Sequence, residues 1–210
     1  MKYPIFVGPE EYLQFRQGSF FIGALKRWSE EKAINSCLNG LDIKTLCDAP
    51  CGPGRLFYLW HKKGFQFMAV DLSECMYTAA KEACVRLNFA GKVINGDIFH
   101  LKDSLKYIPD IVVCVRFAYY LEREERIELL QVLAEASSQY ILIQYKTTET
   151  WKGGLNEQRR KAKDRLHFKQ YCSDRQIMEE AQEAGLRLVK IVPISQLSDR
   201  VFVLLDKLNN

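Results

Sequence analysis

Leu46-Cys47-Asp48-Ala49-Pro50-Cys51-Gly52-Pro53-Gly54-Arg55 changes character three times within one short stretch. It runs from an apolar strand through an acidic, glycine-rich turn to the start of a helix. Two glycines let the backbone bend tightly and let a ligand approach where a side chain would block it. Asp48, ahead of them, would repel a pyrophosphate but would pair with an ammonium group. Pro53 removes one backbone donor, and Phe57 stands where a dinucleotide fingerprint has its third small residue. The turn therefore suits a nucleoside-like ligand that carries positive charge rather than phosphates.

Working outward, Ile43 to Ala49 is the strand that feeds the turn, and Leu56, Leu59 and Trp60 share one face of the helix that leaves it. The unit then repeats. Phe65 to Val70 predicts a second strand ending at Asp71, and Met76, Ala79, Ala80, Ala83, Cys84 and Leu87 line one face of a helix with Ser73 as its N-cap. Lys92 to Asn95 predicts a third strand, ending at Gly96-Asp97-Ile98. Ile108 to Arg116 predicts a fourth, whose run Ile111-Val112-Val113-Cys114-Val115 fits a strand covered on both faces. A helix carrying Ile127, Leu130, Leu133 and Ala134 leads to a fifth strand, Tyr140 to Tyr145.

This alternation points to a mostly parallel sheet with right-handed crossovers, whose ligands bind at the carboxyl ends of the strands. Asp48, Asp71, Asp97 and Arg116 all fall at those ends. Upstream, residues 1 to 20 read as an arm or short helix, and Ile22 to Leu41 as a helix stopped by Gly40. Residues 147 to 172 break the rhythm and read as a mobile loop plus a surface helix. Ser173 then caps a helix that stops at Gly185, and Arg187 to Ile194 with Arg200 to Leu205 form an antiparallel hairpin.

With 210 residues, 48% of them hydrophobic, the chain can bury a full core, and a single domain is expected over residues 1–210. A formal net charge of +4 is too weak to argue nucleic-acid binding from balance alone. The seven cysteines are scattered, odd in number and mostly within apolar runs, as in reduced core positions of a cytoplasmic protein. Cys47 and Cys51 flank the turn without a second Cys/His pair, so no metal is expected. The start Met1-Lys2-Tyr3-Pro4-Ile5-Phe6 lacks the apolar core of a signal peptide, and no run has membrane-spanning length.

Taken together, Asp48 to Arg55, Val70-Asp71-Leu72-Ser73, Asn95-Gly96-Asp97-Ile98 and the closing hairpin resemble the class I S-adenosylmethionine-dependent methyltransferases. The resemblance runs from about residue 40 onward. It implies an α/β, three-layer Rossmann-like sandwich: a mostly parallel seven-stranded sheet with an antiparallel C-terminal hairpin strand. It also implies S-adenosyl-L-methionine as cofactor, with Asp48 and the backbone of Cys51 to Gly54 on the methionine moiety and Asp71 on both ribose hydroxyls. Leu72 and Met76 would flank the adenine, and Asp97 with the Ile98 backbone would read its amino group. Ala49, Pro50, Arg55, Gly96, Val115 and Arg116 complete the implied set. Residues 1–39 would form an N-terminal helical cap and 147–172 a lid insertion.

The acceptor is less legible. Methyl transfer needs alignment and exclusion of water more than a base; His100, Tyr119, Tyr120 and His167 are the candidates if one is used. Arg116, a guanidinium ending an apolar strand, needs a partner: the cofactor carboxylate, an anionic acceptor, or Glu122 or Glu124. Cys114 to Tyr120 lacks the Asn/Asp-Pro-Pro-Tyr pattern of enzymes acting on planar amide or nucleobase nitrogens, which favours an oxygen or other nitrogen nucleophile on a small molecule. The basic run Arg159 to Arg165 carries a rival reading, an RNA or nucleotide-linked acceptor, though no aromatic stacking platform accompanies it. A second rival is a cofactor-binding protein without catalysis that acts through protein partners.

Overall fold

The computed structural model describes residues 20–89, 91–162 and 169–207. The expected arm over residues 1–19, the end of the basic run at Lys163 to Arg165, and His167 lie outside the described residues. The chain enters through α1 (Phe20–Leu38) and then alternates: β1 (Thr45–Asp48), α2 (Phe57–Lys62), β2 (Gln66–Asp71), α3 (Glu74–Arg86), β3 (Lys92–Asn95). After a 3-10 turn at Ile98–His100 come α4 (Leu101–Ser104) and β4 (Ile111–Cys114). A second 3-10 turn, Ala118–Tyr120, precedes α5 (Arg123–Glu135), β5 (Tyr140–Lys146), α6 (Trp151–Ala162), α7 (Asp174–Glu183), β6 (Leu186–Pro193) and β7 (Arg200–Lys207).

The strands form one seven-stranded sheet in the order β3-β2-β1-β4-β5-β7-β6. Its first five members run parallel, and β7 joins antiparallel to both β5 and β6. The order reverses between β1 and β4, and beyond the carboxyl ends of strands at such a switch point open α/β sheets bind their ligands.

Side-chain alternation explains why both faces are covered. Val112 and Cys114 of β4, Ile143 and Tyr145 of β5 and Val203 of β7 face a core closed by Leu129, Leu130 and Leu133 of α5 and Ile177 of α7. Val113, Leu142 and Phe202 face the other core, closed by Ile34 of α1, Phe57 and Trp60 of α2 and Ala80 of α3. A period of two on strands buried on both sides gives the near-continuous apolar runs seen in the sequence.

Several expectations are sharpened. The fourth strand was expected over Ile108 to Arg116 and spans Ile111–Cys114. Pro109 has no amide to donate, Asp110 turns its carboxylate to the Lys44 and Thr45 N–H groups, both at 2.8 Å, and Arg116 adopts a left-handed φ of 66°. Ser73 occupies the N-cap position of α3 without a side-chain cap; its hydroxyl meets Cys75 Sγ at 3.0 Å instead. Ser173 does cap α7, in a reciprocal exchange with Gln176. The segment 147–172, expected to begin as a mobile loop, is pinned to the sheet at both ends: Cys172 N–H donates to the Lys146 carbonyl at 2.9 Å and Thr148 N–H to the Cys172 carbonyl at 3.2 Å.

Candidate functional site

The turn after β1 is held by sheet-like bonds on both sides. Ala49 N–H donates to the Val113 carbonyl and Cys51 N–H to the Val70 carbonyl, each at 2.9 Å. Gly52 (φ +56°) then points its N–H at Asp71 Oδ2, 2.7 Å away, and a Cβ placed on it would meet nothing within 4 Å. Gly54 (φ +77°) is different, because a Cβ there would lie 2.7 Å from the Phe57 ring. One glycine leaves its backbone unobstructed by neighbouring protein atoms, and the other allows α2 to pack.

Asp48 ends β1 almost wholly buried, with Oδ2 accepting the Trp60 indole N–H at 2.9 Å. Burial lifts its carboxyl to about 7; the Trp60 hydrogen bond and Arg55 oppose the rise, and neighbouring Asp71 adds to it. Asp71 ends β2 and accepts the Ser73 N–H at 3.0 Å on its other oxygen. Burial raises its pKa as well, with the Ser73 and Gly52 amides pulling the other way. Leu72 beside it is 61% exposed, a large apolar side chain facing outward next to a buried carboxylate. Asp97, after β3, accepts the Phe99 N–H at 3.0 Å and caps the first 3-10 turn; Ile98 and Met76 are buried. Gly96 is closely surrounded, since a Cβ there would come within 2.8 Å of Ser104 Oγ.

Across the switch point the charge reverses. Glu30 of α1, 2% exposed, receives Arg55 at 2.7 Å, Arg116 at 3.3 Å, the Gln144 amide at 3.3 Å and Arg200 at 3.7 Å. Burial would raise its pKa, but the three guanidinium groups overcome that and hold it at about 2. Arg116 therefore meets Glu30, 86 residues upstream, among its partners. Beyond it, Lys146 at the end of β5 pairs with Asp199 and donates to the Tyr171 hydroxyl at 3.1 Å. Tyr171 and Asn156 in turn donate to Asp199, at 2.8 and 3.2 Å. Burial lowers the Lys146 pKa, and Asp199, despite its own burial, is held at about 2 by that ammonium. The Lys146 Nζ also stands 4.8 Å from the Tyr171 ring centre and 5.8 Å from that of Tyr119.

Residues 46–138 match a family model described as a methyltransferase domain. Over these residues the chain is similar to methyltransferase domains. Among solved structures, it is similar to magnesium protoporphyrin IX methyltransferase from Synechocystis PCC 6803 with bound SAH (TM-score 0.73, 15% identity, 95% of each chain covered). It is also similar to a S-adenosylmethionine-dependent methyltransferase from Clostridium acetobutylicum ATCC 824 (TM-score 0.67, 14% identity, 87% of this chain and 92% of that one). A third is an O-methyltransferase from neocarzinostatin biosynthesis, in complex with S-adenosyl-L-homocysteine and 1,4-dihydroxy-2-naphthoic acid. That likeness has a TM-score of 0.66 at 18% identity and covers 89% of this chain but 58% of the other. At these identities the likeness is one of fold. No curated protein matches the chain in sequence.

Within the matched residues, Asp48, Ala49, Pro50, Cys51, Gly52, Gly54, Asp71 and Leu72 come together around β1 and β2, with Gly96, Asp97 and Ile98 following β3 at the same edge. Val115 and Arg116 approach from β4, while Arg55 is drawn toward Glu30. His100 is exposed at the end of the turn that Asp97 caps, and Tyr119 is buried against Tyr120, ring centres 4.8 Å apart. Sequence reasoning missed Glu30, Gln144, Lys146, Tyr171, Asp199 and Arg200. Lys146 carried the same signal as Arg116, a cation ending an apolar strand; Glu30, within a charged helix segment, carried none. Among the described residues no helix is long and apolar enough to cross a membrane.

Proposed function

We propose that this chain binds S-adenosyl-L-methionine and transfers its methyl group to an oxygen or nitrogen nucleophile of a small-molecule acceptor. The observation that carries the reading is the Gly52 to Asp71 bond, which sets an open glycine backbone and a carboxylate side by side at the switch point. A carboxylate has about four acceptor positions, and Asp71 uses two on backbone amides, leaving capacity for a pair of ribose hydroxyls. Asp48 has one indole donor and a raised pKa, the state of a buried carboxylate short of a cation, which an ammonium would supply. Exposed Leu72 offers an apolar flank for a base, with Asp97 beyond it as the reader of an amino group.

Bound there, the cofactor supplies an electrophilic methyl on a sulfonium. The chain's own residues do the rest: they hold the donor, align the acceptor and keep water from the reacting atoms. In this reading residues 147–162, which begin beside the end of β5, and α1, which meets Arg55 and Arg116 through Glu30, would cover the acceptor side. Small-molecule acceptors fit the company of the neighbours, one of which holds a naphthoic acid beside S-adenosyl-L-homocysteine. Seven free cysteines, six of them buried, accord with a reducing compartment such as the cytoplasm.

The direct test is calorimetric titration of S-adenosylmethionine and S-adenosylhomocysteine into the protein. Saturable one-to-one binding is expected, and its absence for both ligands would overturn the reading. Turnover is then sought as S-adenosylhomocysteine release with small acceptors bearing hydroxyl, carboxyl or amine groups.

A further inference from the structure

Positive charge on the acceptor side of the sheet is arranged at a structural cost. In the β5/β7 register Lys146 stands directly opposite Arg200, and like charges in that position repel. Both belong to the same face as Gln144, two residues before Lys146, and Arg116 comes to that face in a left-handed conformation unusual for a non-glycine residue. Local strain and like-charge pairing at a strand end mark a place kept for a ligand rather than for stability.

Two carboxylates here, Glu30 and Asp199, are committed unevenly, while a third, the buried Glu157, acts on Tyr171. Glu30 is engaged by Arg55 at 2.7 Å and Arg116 at 3.3 Å, and Arg200, at 3.7 Å, is the guanidinium it holds at the greatest distance. Asp199 faces Lys146, Tyr171 and Asn156 together. Lys169 adds a further ammonium 5.8 Å from the Tyr120 ring, and both it and Arg200 disfavour the charged form of Lys146. Gln144 gives its amide N–H to Glu30, while its buried Oε1 meets no donor among the described residues. The polar cluster is thus rich in cations and unfinished, next to two tyrosine rings.

Resting on the methyltransferase reading, we infer that Arg200 and Lys146, with Arg116 beside them, form an anion subsite that receives a carboxylate on the acceptor. The charge pattern then matches both reactants. The acidic ends of β1 to β3 face a cationic donor, and the basic ends of β4, β5 and β7 face an anionic acceptor. Tyr120, half-buried with its inner side against the buried Tyr119, offers ring surface to the body of that acceptor.

A carboxylate could also come from the methionine end of the cofactor, and the experiment separates the two sources. Benzoate and its uncharged analogue benzyl alcohol are titrated into wild type, Arg200→Gln, Arg200→Lys and Lys146→Met, with and without saturating S-adenosylhomocysteine; S-adenosylhomocysteine itself is titrated into each. The expected result is that benzoate binds wild type at least tenfold more tightly than benzyl alcohol. Arg200→Gln and Lys146→Met lose that preference, Arg200→Lys keeps it, and S-adenosylhomocysteine affinity stays within twofold throughout. Equal binding of benzoate and benzyl alcohol to wild type would overturn the subsite. So would a tenfold loss of S-adenosylhomocysteine affinity in Arg200→Gln with benzoate unaffected, which would assign the cations to the cofactor. Failure of S-adenosylhomocysteine to bind wild type counts against the proposed function alone, because the benzoate arm without cofactor still reads the subsite.

Discussion

The Gly52 backbone N–H donates to Asp71 Oδ2 at 2.7 Å, tying the glycine turn after β1 to the acidic end of β2. The same carboxylate accepts the Ser73 N–H at the start of α3, so one side chain joins three elements. Asp71→Ala removes the acceptor for two amides and for the proposed ribose hydroxyls together. The expected loss is about 1–3 kcal/mol of S-adenosylhomocysteine affinity, typical of charge-assisted hydrogen bonds. Titration calorimetry checks this, and an unchanged affinity would remove Asp71 from the binding site.

On the proposed reading Asp48 should make cofactor affinity depend on pH, and the sign follows from its raised pKa. In the free protein its carboxyl titrates near 7. An ammonium binds the ionised form, so below that value binding must expel a proton. Affinity should fall up to about tenfold per pH unit below 7 and level off above it. Asp48→Asn should flatten the profile. Trp60→Phe, which deletes the hydrogen bond that favours the ionised form, should move the midpoint to higher pH. A wild-type profile flat between pH 5.5 and 7.5 would contradict the ammonium assignment.

Glu30 is the electrostatic centre of the other half of the site. Its folded pKa of about 2 lies below the ordinary 4.5, so the stability it contributes is complete above 4.5 and is lost as pH falls through 2. Glu30→Gln leaves three guanidinium groups around a neutral amide and should cost about 3–5 kcal/mol at neutral pH, the range for breaking a buried pair. Urea unfolding measures it. The gap between wild type and variant should narrow from pH 5 toward pH 2, with Asp199, also depressed to about 2, eroding both proteins over the same range.

What was legible in the sequence was whatever repeats along the chain. Strand runs, helix periods and glycine stops placed the β1 turn, Asp71 and Asp97 on one edge because each closes its own strand. The partners of Arg116 were not legible, since Glu30 approaches through α1 from the other side of the sheet and nothing local marks that residue among its charged neighbours. Lys146, Arg200 and Asp199 meet only because β7 runs antiparallel to β5 and brings its start to the sheet's carboxyl edge. Contacts between such distant elements leave no period to read. Asp48 shows the converse: its place was evident from the strand end, but its bond to Trp60 depended on which face of α2 turned inward.

The two turn glycines should separate folding from binding. Both have positive φ, which alone costs an alanine about 1–2 kcal/mol. At Gly52 the new methyl meets no protein atom within 4 Å, so Gly52→Ala should lose roughly that amount of stability and no more. At Gly54 the methyl would lie 2.7 Å from the Phe57 ring and 3.2 Å from the Ala83 Cβ, and a side chain of the second core would have to move. Gly54→Ala should therefore add an overpacking cost of about 1–3 kcal/mol to the backbone term. Binding should rank the opposite way among molecules that remain folded. The Gly52 methyl enters the open space where the cofactor's methionine end is proposed to lie, so Gly52→Ala should weaken S-adenosylhomocysteine at least tenfold with the fold retained, read by calorimetry alongside urea unfolding. Wild-type affinity in Gly52→Ala would mean that the ligand does not approach this backbone.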